Sequence, residues 1–282
     1  MVYDISQYDR PSVAADIVVF TTRKSSRESY RHLAFPELSV LLVKRKEPPF
    51  MNMISLPGGF CCREETIEET AERKLREKTG VSDVPLSLLC NLSKFGRDPR
   101  GWIISCCYWT IMEYSDIVTD NNAGWYNVSL EEKENHYSLI LTDDEGNSYN
   151  SEVMMNNINE LYNQYEKAYI AKTSLAFDHA EIIVRAMLHL RNSLDKPYAA
   201  FRFLPEEFTL TQLQQIYEMI LGKKLLMANF RRKIFPYVEE TDNIERGAGH
   251  RPSKLYRKKN ITSDFCTAKN RLYRKLKPIY EG

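Results

Sequence analysis

The 282-residue chain has no run of about 18 apolar residues, the length a membrane-spanning helix needs, so no segment is expected to cross a bilayer. Its first residues, MVYDISQYDRPSVAAD, lack a basic segment leading into an apolar run, and no secretory leader is expected. Cysteine is scarce: Cys61, Cys62, Cys90, Cys106, Cys107 and Cys266 form two adjacent pairs and two singletons, without the C-x2-C spacing of a zinc site. Neighbouring cysteines on a strand point to opposite faces, so reduced thiols in a cytoplasmic protein are expected. Net charge is small too, because 39 Lys+Arg and 38 Asp+Glu leave +1. That figure hides a split. Residues 1–200 hold 22 basic against 29 acidic side chains and residues 201–282 hold 17 against 9, so the C-terminal part is expected to meet a polyanion. With 43% hydrophobic and 27% charged residues the composition is that of a globular protein, and the length allows two separate cores.

What is present centres on Gly58–Val81, GGFCCREETIEETAERKLREKTGV: a Gly-Gly turn, a short loop and a charged helix closed by Gly80. Gly59, Glu65, Arg73, Leu75, Glu77, Gly80 and Val81 match seven of the nine specified positions of the Nudix box, G-x5-E-x7-R-E-U-x-E-E-x-G-U, which this stretch resembles. The resemblance implies that positions 74, 77 and 78 would carry carboxylates for magnesium. Residues at i, i+3 and i+4 share one helix face, which suits a hard cation that takes oxygen ligands. Here that face reads Lys74, Glu77, Lys78, and its formal charge is +1 instead of −3. An ammonium has donors and no lone pair, so it cannot ligate a metal. The expectation is a Nudix scaffold whose hydrolysis is lost or impaired, with no metal and no cofactor. Were it active, Glu77, Glu65 and Arg73 would carry the chemistry, with Mg2+ on Glu77 and Glu65.

Around the box, VAADIVVF (13–20), LSVLLVK (38–44), LSLLCNL (86–92) and WIISCCYWTIM (102–112) read as strands, and TTRKSSRESYRHL after the first as a loop. Glu69, Arg73 and Glu77 form a charged stripe at i, i+4 spacing. The turn KFGRDPRG carries Arg97 and Arg100. RDPRG, then Trp125 in AGWYNV, then LAFDHAEII resemble the Nudix-related transcriptional regulators. Such proteins join a Nudix-like domain to a C-terminal winged helix and sense metabolites, ADP-ribose in one branch and a pentose in another. Asp178 and Glu181 predict a capping box and a helix over about 179–193, with His179 in its first turn as a structural residue or a relay contact. Residues 129–172 depart from the regulators and read as an insertion: HYSLILTD and NSYNSEVM as a hairpin around DEGN, then INELYNQYEKAY as a helix. A lid and a dimer contact are both open for it.

From 198 onward, Thr209 or Thr211 caps a helix with apolar Leu213, Ile216, Tyr217 and Ile220, ended by Gly222. A second helix over about 228–235 turns Phe230 and Ile234 inward and Asn229, Arg231, Arg232 and Lys233 outward. Helix, turn and basic helix suit a major groove. VEET and SKLYRKK read as strands around a basic wing loop. There Arg246, His250, Arg251, Lys254 and Arg257 would meet phosphates. The tail from Asn260 can form an amphipathic helix that packs on the winged helix, pairs across a dimer or adds phosphate contacts.

The expected fold is therefore α/β: a Nudix α/β/α sandwich with a mixed sheet over 1–195, then a winged helix over 196–282. The expected function is a cytoplasmic, homodimeric regulator of duplex DNA whose cleft binds ADP-ribose or a related sugar. Gly59, Lys74, Glu77, Lys78, Arg97 and Arg100 are the ligand candidates. The lysines would either neutralise the ligand in place of magnesium or be passive replacements. The alternative is an active Nudix pyrophosphohydrolase using Mg2+, and a third reading is an RNA-processing or scaffold protein.

Overall fold

The computed structural model describes residues 4–24, 35–114, 122–159, 164–245 and 253–259. In chain order come β1 (Ser12–Lys24), β2 (Pro36–Lys44), β3 (Ile54–Ser55), β4 (Gly58–Phe60), α1 (Ile67–Thr79), β5 (Ser87–Leu92) and β6 (Ile103–Ile111). Then follow β7 (Ala123–Glu132), β8 (Tyr137–Thr142), β9 (Ser148–Asn159), β10 (Gln164–Lys172) and α2 (His179–Ser193). The remainder is α3 (Tyr198–Phe201), β11 (Glu207–Phe208), α4 (Leu210–Leu221), α5 (Met227–Ile234), β12 (Val238–Glu245) and β13 (Ser253–Lys258). Backbone contacts divide the chain into 1–203 with 215–223, and 204–214 with 224–282; the boundary runs through α4.

The first unit is a mixed sheet in the order β10-β9-β8-β7-β2-β1-β6-β5, with β3 on β2 and β4 on β1. Only the β1–β6 pair is parallel among the described pairings of this sheet. The apolar run of β1 is buried on both faces because a helix covers each. Ala15, Ile17 and Val19 cluster with Ala71 and Leu75 of α1. Asp16, Val18 and Phe20, one residue out of phase, face the other side, where Asp16 meets His179 of α2. That is the expected α/β/α sandwich. Burying a side chain such as Leu75 contributes about 1.5–3 kcal/mol. Among the described residues no helix is long and apolar enough to cross a membrane. The five described cysteines are free, with Cys107 buried and its neighbour Cys106 only half-buried.

Three expectations are corrected, and one open alternative gains no support. Thr21–Lys24 belong to β1 rather than to the loop that follows, and Gly58–Phe60 form a short strand on β1 rather than a turn. INELYNQYEKAY is not helical: its described residues complete β9 and form β10, which returns antiparallel along β9. Helix preference there is worth only tenths of a kcal/mol per residue, and an open sheet edge offers a full ladder of hydrogen bonds instead. Finally, among the described residues none of 129–172 lines the cleft below, which gives no support to a lid.

In the second unit β11, β13 and β12 form a three-stranded sheet. Thr209 caps α4 through its hydroxyl, which accepts from the Gln212 amide at 3.2 Å, while Gln212 Oε1 accepts the Thr209 amide at 2.7 Å. Gly222 follows α4 with φ 68°, the left-handed conformation that glycine adopts without strain. Phe208, Leu213, Phe230, Ile234, Val238 and Tyr256 are buried. The tail from Asn260 lies outside the described residues.

Candidate functional site

The box helix α1 starts at Thr66, whose hydroxyl accepts from the Glu69 amide at 3.2 Å while Glu69 accepts the Thr66 amide at 2.7 Å. Glu69 therefore caps the helix and is not engaged with Arg73. Gly80 ends it with φ 73°. Thr70, Ala71, Leu75 and Thr79 are buried against the sheet, while Arg73 and Lys74 are half-buried and Glu77 and Lys78 exposed. Arg73 donates to Glu65 at 2.5 and 2.8 Å and to Glu77 at 3.1 Å. Hydrogen bonds from Arg73, then the Cys62 amide, hold the Glu65 carboxyl down at about 2. Lys74 Nζ lies 2.8 Å from Glu77 Oε2, and its hydrogen bond, followed by that of Arg73, lowers the Glu77 pKa.

This donor set does not fit magnesium. Lys74 and Lys78 have no lone pairs to give, Glu65 and Glu77 already accept from cations, and among the described residues no cluster of acids, histidines or cysteines could hold a metal.

Across the sheet lies a buried polar network. Arg97, 4% exposed, grips Asp178 with Nε at 2.7 Å and Nη2 at 2.6 Å and approaches Asp16 at 3.8 Å. Ser105 donates to Asp16 at 2.5 Å. His179 Nδ1 accepts the Leu56 amide at 2.8 Å, and its Nε2 faces Asp16 at 3.5 Å. Burial lowers the His179 pKa, which keeps the ring neutral. His179 is thus a satisfied structural residue that fixes the strand leading into the Gly-Gly pair. Asp178 does not form the expected cap: its side chain makes no cap bond, and Glu181 pairs with Arg185 at 2.7 Å. Arg97, one of the ligand candidates, lines the cleft described below with its guanidinium engaged by Asp178.

Both halves converge on one cleft of about 580 Å3, lined by Asp16, Gly58, Gly59, Phe60, Lys74, Glu77, Lys78, Arg97, Arg100, Phe177 and His179, among others. Seven basic residues line it, Lys44, Arg45, Lys46, Lys74, Lys78, Arg97 and Arg100, against the four acids Asp16, Glu47, Glu77 and Asp98. Arg100 is held by Asp98 at 2.6 Å and lies over Phe60 at 4.7 Å and Phe177 at 5.0 Å. Arg45 lies over the same Phe177 ring at 4.7 Å. Burial, then repulsion from Arg100, lowers the Arg45 pKa, so these two cations are set against each other across one ring. Phe177 has φ 55°, a strained conformation of the kind that concentrates at binding sites.

Asp16, Arg45 and Phe177 escaped the reading of the sequence. A signal existed for the first: a carboxylate inside VAADIVVF, buried on both faces, needs a partner.

In the second unit Asn229, Arg231, Arg232 and Lys233 are all exposed on α5, opposite buried Phe230 and Ile234. Arg232 donates to Asn229 at 3.1 Å. Lys254 and Arg257, expected to meet phosphate, pair across the wing, Lys254 with Glu240 and Arg257 with Glu239 at 2.5 Å. Arg246, His250 and Arg251 lie outside the described residues.

A Nudix domain model matches residues 13–132, and a model described as the NrtR DNA-binding winged helix domain matches 200–258. The chain is 29% identical over 259 residues to the ADPR responsive transcriptional repressor NtrR of Acinetobacter baylyi, covering 90% of this chain and 85% of that one. It is 37% identical over 101 residues to an ADP-ribose pyrophosphatase of Methanocaldococcus jannaschii, covering 36% of this chain and 51% of that protein. Among solved structures, a MutT/nudix family protein from Enterococcus faecalis superposes with TM-score 0.68 at 27% identity, covering 91% of this chain and 90% of that one. Shewanella oneidensis NrtR complexed with a 27mer DNA superposes with TM-score 0.57 at 27% identity, covering 88% and 93%. Fold and matches define a class in which one chain joins a Nudix domain to a winged helix. Within that class, the chain is similar over most of its length to the NrtR regulators and carries an NrtR-type winged helix match.

Proposed function

We propose that the chain regulates transcription in the cytoplasm, binding operator DNA through α5 and the wing and sensing ADP-ribose or a related nucleoside diphosphate sugar in the cleft. The observation that carries this is the extent of the similarity: it runs through both domains of the ADPR responsive repressor, and the NrtR-type winged helix forms part of the match. The cleft chemistry agrees. A nucleoside diphosphate sugar offers a diphosphate that relieves the repulsion between Arg45 and Arg100, whose guanidiniums the Phe60 and Phe177 rings hold in the cleft. A homodimer is proposed because two recognition helices reading a palindrome multiply specificity.

The test is a mobility-shift titration with duplex from the chain's own promoter, at two salt concentrations, with and without ADP-ribose. Binding is expected to be sequence-specific and salt-sensitive, and ADP-ribose should move its midpoint. Arg232→Ala with Lys233→Ala should weaken it about tenfold or more, since each bidentate base contact contributes about 1–3 kcal/mol. Indifference to that double substitution, or to ADP-ribose, counts against the reading.

Hydrolysis is the second reading, favoured by the retained Glu65, Arg73 and Glu77 and by the match to an ADP-ribose pyrophosphatase. We infer that it is lost. No AMP should form from ADP-ribose with Mg2+ or Mn2+; steady turnover abolished by Glu77→Gln would reverse that conclusion.

A further inference from the structure

The mismatch between this box and a divalent cation has a positive counterpart. We infer that the ammonium groups of Lys74 and Lys78 occupy the place of the box's metal, so that the cleft takes a diphosphate free of any divalent cation. The inference rests on the reading of the cleft as a site for a diphosphate-bearing ligand.

Three observations carry it. Lys74, Glu77 and Lys78 share one helix face, and all three line the cleft. Lys74 is built in: its side chain is only 20% exposed, and its stem lies in the groove left by Gly59, where a Cβ would come within 2.8 Å of Cε and 2.9 Å of Cδ. The stem lies directly against the Gly59 backbone. Glu77 then fixes the head at 2.8 Å, which leaves two of its three donors for a ligand. Lys78, one turn on, is exposed and has no ion-pair partner among the described residues.

The charges fix the ligand's form. A bare diphosphate meets two ammoniums and, from the facing side of the cleft, Arg100. A diphosphate already carrying Mg2+ would bring a like charge against them. The same substitution removes the group that would polarise a phosphoryl oxygen, so ligand is held and not cleaved.

Calorimetry on the full chain tests this with two probes, ADP-ribose and inorganic pyrophosphate, in EDTA and then in Mg2+. Both should bind in EDTA, and Mg2+ should weaken binding. Lys78→Met, at an exposed site, and Lys74→Met with Lys78→Met, which keeps the stem on Gly59, should lose affinity for both probes, about tenfold or more for the pair. Lys74→Glu with Lys78→Glu should abolish binding in EDTA. Wild-type binding that requires Mg2+, or affinity unchanged in the two methionine variants, overturns the assignment. Pyrophosphate binding in EDTA without ADP-ribose binding removes the ADP-ribose reading and leaves the lysine assignment standing; binding of neither probe in EDTA overturns it.

Discussion

The cleft of the first unit and α5 of the second are both basic, yet their cations stand in opposite situations. In the cleft region Arg73 lies on Glu65 and Glu77, Arg97 on Asp178, Arg100 on Asp98 and Lys74 on Glu77. On α5 the side chains of Arg231, Arg232 and Lys233 are exposed along one short helix. Cations fixed by carboxylates hold a set geometry and suit one small anion, because little side-chain freedom remains to be lost on binding. Exposed cations on a helix adapt to a polyanion and release its counterions. Charge counted from the sequence treats both sets alike. What marks Arg73, Lys74, Arg97 and Arg100 is the carboxylate that each already lies on.

The largest effect should come from breaking the most deeply paired cation. Arg97→Met leaves Asp178 and Asp16 buried without their guanidinium, and uncompensated buried charge costs about 3–5 kcal/mol. Urea unfolding followed by tryptophan fluorescence reads this, since Trp102, Trp109 and Trp125 all lie in the first unit. The midpoint should fall steeply for Arg97→Met and stay in place for Arg232→Met. Equal midpoints would dissolve the distinction between the two sets.

A smaller effect follows from His179. Burial places its folded pKa below the ordinary 6.5, so as pH falls through 6.5 the unfolded chain takes up a proton that the folded one refuses. Its contribution to stability is complete above 6.5 and declines below it, by at most about 1.4 kcal/mol per pH unit until the folded pKa is reached. His189, exposed on α2 but with its pKa also lowered by partial desolvation, adds a slope of the same sign. His179→Asn, which keeps an acceptor for the Leu56 amide, should lose less stability than wild type on going from about pH 7.5 to about pH 5.5. A slope unchanged by the substitution would place the proton uptake elsewhere.

Legibility in the sequence followed the range of the interactions. The α2 bounds were readable at 179 and 193 because a helix start and its apolar repeat are local signals. Asp178, however, does not cap α2: it serves Arg97, 81 residues away, and no pattern near Asp178 announces that. Lys74 and Lys78 were legible as departures from the box, but the Gly59 groove under Lys74 appears only once β4 lies on α1. Phe177 looked like one more apolar residue until Arg45 and Arg100, from two distant loops, came to lie over its ring. The helix expected at INELYNQYEKAY failed for a different reason: the segment pairs locally, β10 returning along β9 just before it, and strand pairing outweighed a small helix preference.

The smallest effect tests where the two kinds of basic site meet, in the wing. Lys254 and Arg257 lie in the DNA-binding unit but resemble the cleft cations, each facing a carboxylate across the β12–β13 pair. Exposed pairs of this kind add little to stability, so Lys254→Ala with Arg257→Ala should leave the melting temperature unresolved from wild type. Each phosphate contact contributes about 0.9 to the slope of log affinity against log salt. Residues already neutralised by Glu240 and Glu239 should contribute less, so the double substitution should lower the slope by less than Arg232→Ala with Lys233→Ala does. Glu239→Gln with Glu240→Gln frees the same two cations and should raise both affinity and slope. If instead the alanine pair removes a full contact each, about 1.8 together, the strand carboxylates yield to phosphate on binding, and the wing joins α5 as an adaptable surface.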